Sequence, residues 1–229
     1  MKNRKSGDAG MKYDQAQVRI HEAYTVAIRD LGVHGEGIGS VDGFTVFVPW
    51  ALPGETVTVK ITLLKKSYAL GKLLSIEQES PFRTMPECPV YEHCGGCQLS
   101  HLTYEGQLDM KYRRVKDVIE RIAGESGKLV RPVLPAAHPF AYRNKMAVPA
   151  GLVKGEAALG CYRQGSHDII PVSSCAIQKE ENNRLLQFAR RFIKKYRISV
   201  YDEKTRKGSL RHVCLLYTSP SPRDAHESR

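Results

Sequence analysis

Three cysteines fall close together in the stretch Cys88-Pro-Val-Tyr-Glu-His-Cys94-Gly-Gly-Cys97, a C-x5-C-x2-C spacing. One tight turn can aim thiolates that near in sequence at a single inorganic centre. Gly95 and Gly96 suit the turn, because glycine accepts positive φ and lets the backbone pass close to a bulky core. A three-thiol loop requires a fourth donor, and Cys161, Cys175 and Cys214 remain. Structural zinc usually takes two close ligand pairs, and only one C-x2-C pair is present. A cubane iron–sulfur cluster accepts three cysteines on a loop and a remote fourth, which fits the spacing better. His93 and His101 are nitrogen donors for zinc, although histidines beside loop cysteines more often serve as supporting polar groups. Cys161, at a strand end, and Cys214, inside an apolar strand, read as packed thiols. Cys175 stands after a strand and before a helix, a rigid place from which to complete a site, and is the expected fourth ligand.

The elements around this loop divide the chain. Between Val18 and Ser80, period-two runs such as Tyr24–Ile28, Phe44–Val48 and Thr56–Leu63 alternate with Gly, Asp-Gly and Pro-Gly breaks. Four or five short strands in that space predict a small closed barrel of the OB type, which leaves no exposed edges. The glycines from Gly35 to Gly43 either permit tight turns or let a phosphate backbone approach. Residues 81–86 read as a linker. Tyr104, Leu108, Tyr112, Val115, Ile119 and Ile122 recur at helical spacing and predict a helix over Thr103–Ala123, with Thr103 as N-cap and Gly124 at the C-terminal end. Strands are expected over Ala141–Val148, Ala158–Arg163 and Ile169–Val172, a helix over Glu180–Ile198, and a last strand from about Leu210. Residues 1–14 read as a disordered basic tail and residues 216–229 as a disordered tail without the basic character.

The 229 residues carry 35 Lys and Arg against 24 Asp and Glu, a net charge of +11. That balance favours a polyanionic partner. No apolar run reaches membrane-spanning length and no secretory signal is present, so the protein is expected in the cytoplasm without a membrane partner. In a reducing compartment the six cysteines read as metal ligands or plain thiols rather than disulfides. RNA or DNA is then the expected partner.

The motif Cys88-x5-Cys94-Gly-Gly-Cys97-Gln-Leu-x-His101-Leu-x-Tyr104-x-x-Gln107-Leu is very similar to the signature of the bacterial 23S rRNA (uracil-5-)-methyltransferases. So are Tyr142-Arg143-Asn144-Lys145, Leu159-Gly160-x-Tyr162-Arg163, Ser166-His167-Asp168-Ile169 and Gly208-x-Leu210-Arg211-His212. The resemblance runs from about Val18 to Val213. It implies a five-stranded TRAM barrel over 15–80, then a central α/β domain over 81–215 that holds a [4Fe-4S] cluster on Cys88, Cys94, Cys97 and Cys175. It further implies S-adenosylmethionine-dependent methylation of C5 of a uridine in 23S rRNA by a monomeric full-length protein. The family's cluster is regarded as structural, orienting the RNA-binding region. Two departures are small: Ala176 follows the fourth cysteine where proline is usual, and Cys161 occupies a position usually aromatic.

Chemistry at C5 needs a cysteine nucleophile for C6, a base for the C5 proton and a glycine-rich cofactor loop. No such loop is visible, since Gly35-x-Gly-x-Gly39 lacks a following helix. The C-terminal Rossmann-type methyltransferase domain is therefore expected to be absent, with no catalytic residue in this chain and no methyl transfer by it. The ending after Val213, rich in Ser and Pro, reads as unrelated coding such as a frameshift. Arg143, Asn144, Lys145 and Arg163 are candidate RNA contacts, the cations for phosphates and Asn144 for the edge of an unstacked base. The alternative is a stand-alone nucleic-acid-binding module with a structural zinc or iron–sulfur site.

Overall fold

The computed structural model describes residues 18–203 and 205–216. The tails read at 1–14 and 216–229 lie outside the described residues, apart from Leu216. The chain divides after Arg83 into two compact units.

The first unit is built from β1 (Ala23–Leu31), β2 (Gly37–Val41), β3 (Phe44–Val48), β4 (Thr56–Leu64) and β5 (Tyr68–Gln78). They close into a barrel in the order β1-β2-β3-β5-β4. Alternation puts Val26, Ile28, Val46, Val48, Val57, Val59 and Ile61 inside, and all of them are buried. Closure comes from two pairings that the alternation does not specify. Tyr24 lies opposite Val59 in the antiparallel β1–β4 ladder, and Val46 opposite Ala69 in the parallel β3–β5 ladder. Gly37 and Gly39 are buried positions on β2. A Cβ on Gly39 would stand 2.3 Å from Val26 Cγ1. These two glycines make room for neighbouring barrel residues.

Glu55 anchors the turn before β4, and its side chain is wholly buried. It accepts from Leu52 N–H at 2.8 Å, from Ser80 N–H at 3.3 Å and from Arg83 Nη2 at 2.9 Å, while Arg83 Nη2 also donates to Trp50 O at 2.7 Å. Burial alone would raise the Glu55 carboxyl, but hydrogen bonds from Arg83 and Leu52 and the guanidinium charge hold it below the ordinary value.

In the second unit, α1 (Tyr104–Val118) starts at Thr103, whose Oγ1 accepts from Gly106 N–H at 3.2 Å. The helix runs into a single π turn, Ile119–Ala123, and ends on left-handed Gly124. Its apolar stripe stays largely open, with Val115 and Ile122 exposed. A four-stranded sheet follows in the order β8-β7-β6-β9, from β6 (Lys145–Val153), β7 (Glu156–Tyr162), β8 (Ile169–Pro171) and β9 (His212–Leu216). Helix α2 (Glu180–Lys195) packs Leu186 and Ile193 with Met146, Val148, Leu159 and Leu215 of the sheet in one core. Gly160 is obligatory for the sheet, because a Cβ there would sit 1.9 Å from Ile170 O. Among the described residues, no helix is long and apolar enough to cross a membrane.

Candidate functional site

The cysteine loop is held by short local bonds. Cys94 N–H donates to Val90 O at 2.9 Å and Tyr91 N–H to Cys88 O at 3.1 Å. His101 is buried, with Nδ1 2.6 Å from the Tyr91 hydroxyl, and this places it in the wall of the loop, whereas His93 is exposed. The loop is also stitched to the end of β7. Gly95 N–H donates to Tyr162 O at 2.9 Å, and Cys94 forms an isolated antiparallel bridge with Arg163. A Cβ on Gly95 would lie 3.1 Å from Gln164 Cα and N, so a glycine fits this close approach better than any larger residue.

Cys175 arrives from the other side of the sequence and is clamped by α2. Asn183 Oδ1 accepts from Cys175 N–H at 2.9 Å, and Asn183 Nδ2 donates to Cys175 O at 3.3 Å. Cys88, Cys97 and Cys175 line one cavity of about 430 Å³ together with Leu99, Tyr104 and Phe140. Burial pushes the Cys88 and Cys97 thiols up, and the proximity of Cys175 and Cys94 pushes both further. Cys94 goes the other way: a hydrogen bond from the Cys161 thiol holds it below the ordinary value, and the same bond holds Cys161 far above it. Five thiols thus share one neighbourhood. Cys214 does not join them, and it is exposed on β9 because its neighbour Leu215 takes the inward position. Its expected packing inside a strand is corrected accordingly.

Among the described residues, no group of three or more His, Cys, Asp or Glu converges as the ligands of a single metal ion would. A cubane spreads its thiolates over different irons, so its ligands enclose a volume instead of meeting at a point.

The four residues expected to contact RNA are exposed, and each is tied to a cysteine segment through the backbone. Arg143 N–H donates to Ile177 O at 2.8 Å, two residues past Cys175. Gln178 Nε2 donates to Lys145 O at 3.3 Å, and Asn182 Nδ2 to Asn144 O at 3.0 Å and to Gln178 Oε1 at 3.0 Å. Arg163 is the bridge partner of Cys94. The buried amides of Gln178, Asn182 and Asn183 had no signal in the sequence, where an Asn-Asn pair in a first helical turn resembles any polar surface.

Residues 15–74 match the TRAM domain family. A protein of Bacillus cereus (strain ATCC 10987) named "Uncharacterized RNA methyltransferase" is 48% identical over 200 residues, which are 87% of this chain and 44% of that protein. One of Clostridium tetani with the same name is 42% identical over 198 residues, 86% of this chain and 43% of its own length. This chain carries a TRAM domain and is similar over most of its length to proteins named RNA methyltransferase. It spans under half the length of these relatives. The Pyrococcus abyssi tRNA (uracil-54, C5)-methyltransferase, solved with S-adenosyl-L-homocysteine, superposes with a TM-score of 0.64 at 23% identity over 86% of this chain and 43% of that one, a likeness of fold.

Proposed function

We propose that this TRAM-bearing chain is the RNA-binding and cluster-bearing part of an S-adenosylmethionine-dependent RNA (uracil-5-)-methyltransferase, with 23S rRNA as the substrate of the full-length protein. The barrel over 15–80 and the α/β region over 81–215 are its working domains, and no residue of this chain is assigned to catalysis. The observation that carries the reading is the enclosure of one cavity by Cys88, Cys97 and Cys175, with Cys94 close enough to perturb two of those thiols.

Those four soft donors suit a [4Fe-4S] cluster. When bound, the cluster would cross-link the loop to the turn before α2, a structural staple. Its effect on RNA passes through the chain's own backbone. The bond from Arg143 N–H to Ile177 O and the bonds from Gln178 and Asn182 fix the strip Arg143–Lys145, and the bridge at Cys94 fixes Arg163. Cations set in that way meet phosphates without first losing the entropy of a mobile loop.

Anaerobic purification followed by iron and sulfide analysis tests the site. About four irons per chain, with visible absorption lost in the Cys175→Ser variant, is the expected result. Zinc in place of iron would overturn the cluster. RNA binding is tested with a 23S rRNA fragment against a tRNA transcript of equal length, both at stated salt, and equal affinity would overturn the substrate assignment.

A further inference from the structure

Helix α2 gives the core one face only, through Leu186, Ile193 and, in part, Ala189. The face beside it is not polar, as an exposed helix face ordinarily is. Leu185, Phe188, Phe192 and Tyr196 follow one another there at three- and four-residue spacing, and the three rings stand at 57%, 43% and 58% of full exposure. They form a connected row, with centroids 6.0 Å apart between Phe188 and Phe192 and 4.6 Å apart between Phe192 and Tyr196. A contiguous apolar patch of this kind marks a docking place. The charges on its outer flank identify the chemistry of the occupant. Helical spacing sets Arg184 four residues before Phe188, Arg191 three after it and Lys195 three after Phe192, so a row of exposed cations runs beside the row of rings. Lys195 Nζ lies 5.3 Å over the Tyr196 ring. Arg184 meets Glu180 at 3.7 Å between two exposed side chains, a pair that a phosphate can displace. From 182 to 197 the sequence holds six Arg and Lys and no Asp or Glu.

We propose that this face of α2 binds single-stranded RNA, stacking unpaired bases on Phe188, Phe192 and Tyr196 while Arg184, Arg191 and Lys195 meet the phosphates. The proposal rests on the reading of this chain as an RNA binder, and on neither the cluster nor the identity of the RNA. Aromatic rings accept any base, because every base has a π face, and cations beside them follow the backbone. Together they select an unpaired strand rather than a sequence. A duplex keeps its bases stacked on one another and out of reach of the rings. The first turn of the same helix supports the candidate RNA strip, since Asn182 Nδ2 donates to Asn144 O at 3.0 Å. One rigid helix therefore holds Arg143–Lys145 at its start and, further along, a stacking row about 12 Å long.

The experiment titrates the full chain into labelled oligouridine, an RNA duplex of equal length and an abasic oligomer of equal length, with binding read by fluorescence anisotropy at several salt concentrations. The parent is expected to bind oligouridine more tightly than either of the others. Phe192→Leu, which keeps apolar bulk and helix propensity, weakens oligouridine binding about 5-fold or more, with the thermal transition and the slope of log affinity against log salt unchanged. Phe192→Tyr keeps the ring and binds as the parent does. Arg191→Gln lowers the salt slope by about 0.7. Parent affinity in both Phe188→Leu and Phe192→Leu, or an equal loss toward the abasic oligomer, overturns the stacking. Self-association of the parent that the ring changes abolish, with RNA binding unchanged, gives the face to a second copy of the chain and overturns it as well. A parent that binds none of the three overturns the RNA-binding reading itself, which is distinct from any result of the ring variants.

Discussion

Replacing Arg83 by Met leaves the carboxylate of Glu55 buried without its counter-charge. Arg83 is the cation paired with it, and the Glu55 side chain has no exposure to solvent. Removing one member of a buried pair costs about 3–5 kcal/mol, because the other charge remains desolvated. Two backbone N–H groups, from Leu52 and Ser80, still serve the carboxylate in the variant, so the lower end of that range, about 3 kcal/mol, applies here. A unit of this size loses roughly 4–8 °C per kcal/mol, giving a drop of roughly 12–24 °C. Trp50 is the protein's one tryptophan and lies in this unit, so its fluorescence follows the melt. The pH dependence separates the charge effect from lost packing. In the parent the Glu55 carboxyl is lowered, so its contribution is full above the ordinary carboxylate value and is lost as pH falls through the folded value. In Arg83→Met burial prevails, the carboxyl rises above its unfolded value, and the penalty is relieved as pH falls through it. The two stability curves therefore converge toward acid. A shift under about 1 kcal/mol at neutral pH, or parallel curves, refutes the reasoning.

Asn183→Ala strips both amide bonds from the Cys175 backbone, and iron affinity is expected to fall about 10–100-fold, as for other groups that hold a ligand in place; titration with iron under anaerobic conditions checks it. Gly160→Ala drives a Cβ into Ile170 O and is expected to cost at least about 2 kcal/mol, read as a lowered denaturant midpoint. Arg143→Ala, at an exposed site, should weaken RNA binding across sequences and reduce the slope of log affinity against log salt by about 1.

Much of this architecture was written in residue order. Thr56-Val-Thr-Val-Lys-Ile-Thr-Leu alternates without interruption, and β4 covers it. Thr103 and Gly124 bound a helical stripe, and both act at the ends of the helical segment. The strand expected from Ala141 begins instead at Lys145, because residues 141–143 hydrogen-bond with the turn after Cys175, a long-range pairing that no local pattern specifies. The same holds for the parallel β3–β5 ladder. At the cysteines, spacing alone marked out Cys88, Cys94 and Cys97. It was silent on the bridge between Cys94 and Arg163, which joins residues far apart in the chain. Glu55 and Arg83 are ordinary surface types in sequence, and only burial makes them a pair.

The barrel's order of assembly has a consequence for the nascent chain. Strand β1 finds its second neighbour only in β4, and β3 finds its own only in β5, which ends at Gln78. A ribosome that has released anything shorter than this holds a half-built sheet with two raw flanks. Even at Gln78 the acid at Glu55 has no cation, for Arg83 is still inside the exit tunnel. The Glu55 carboxylate gains its counter-charge only when the unit's last residue emerges, so synthesis itself sets the moment at which the barrel can lock.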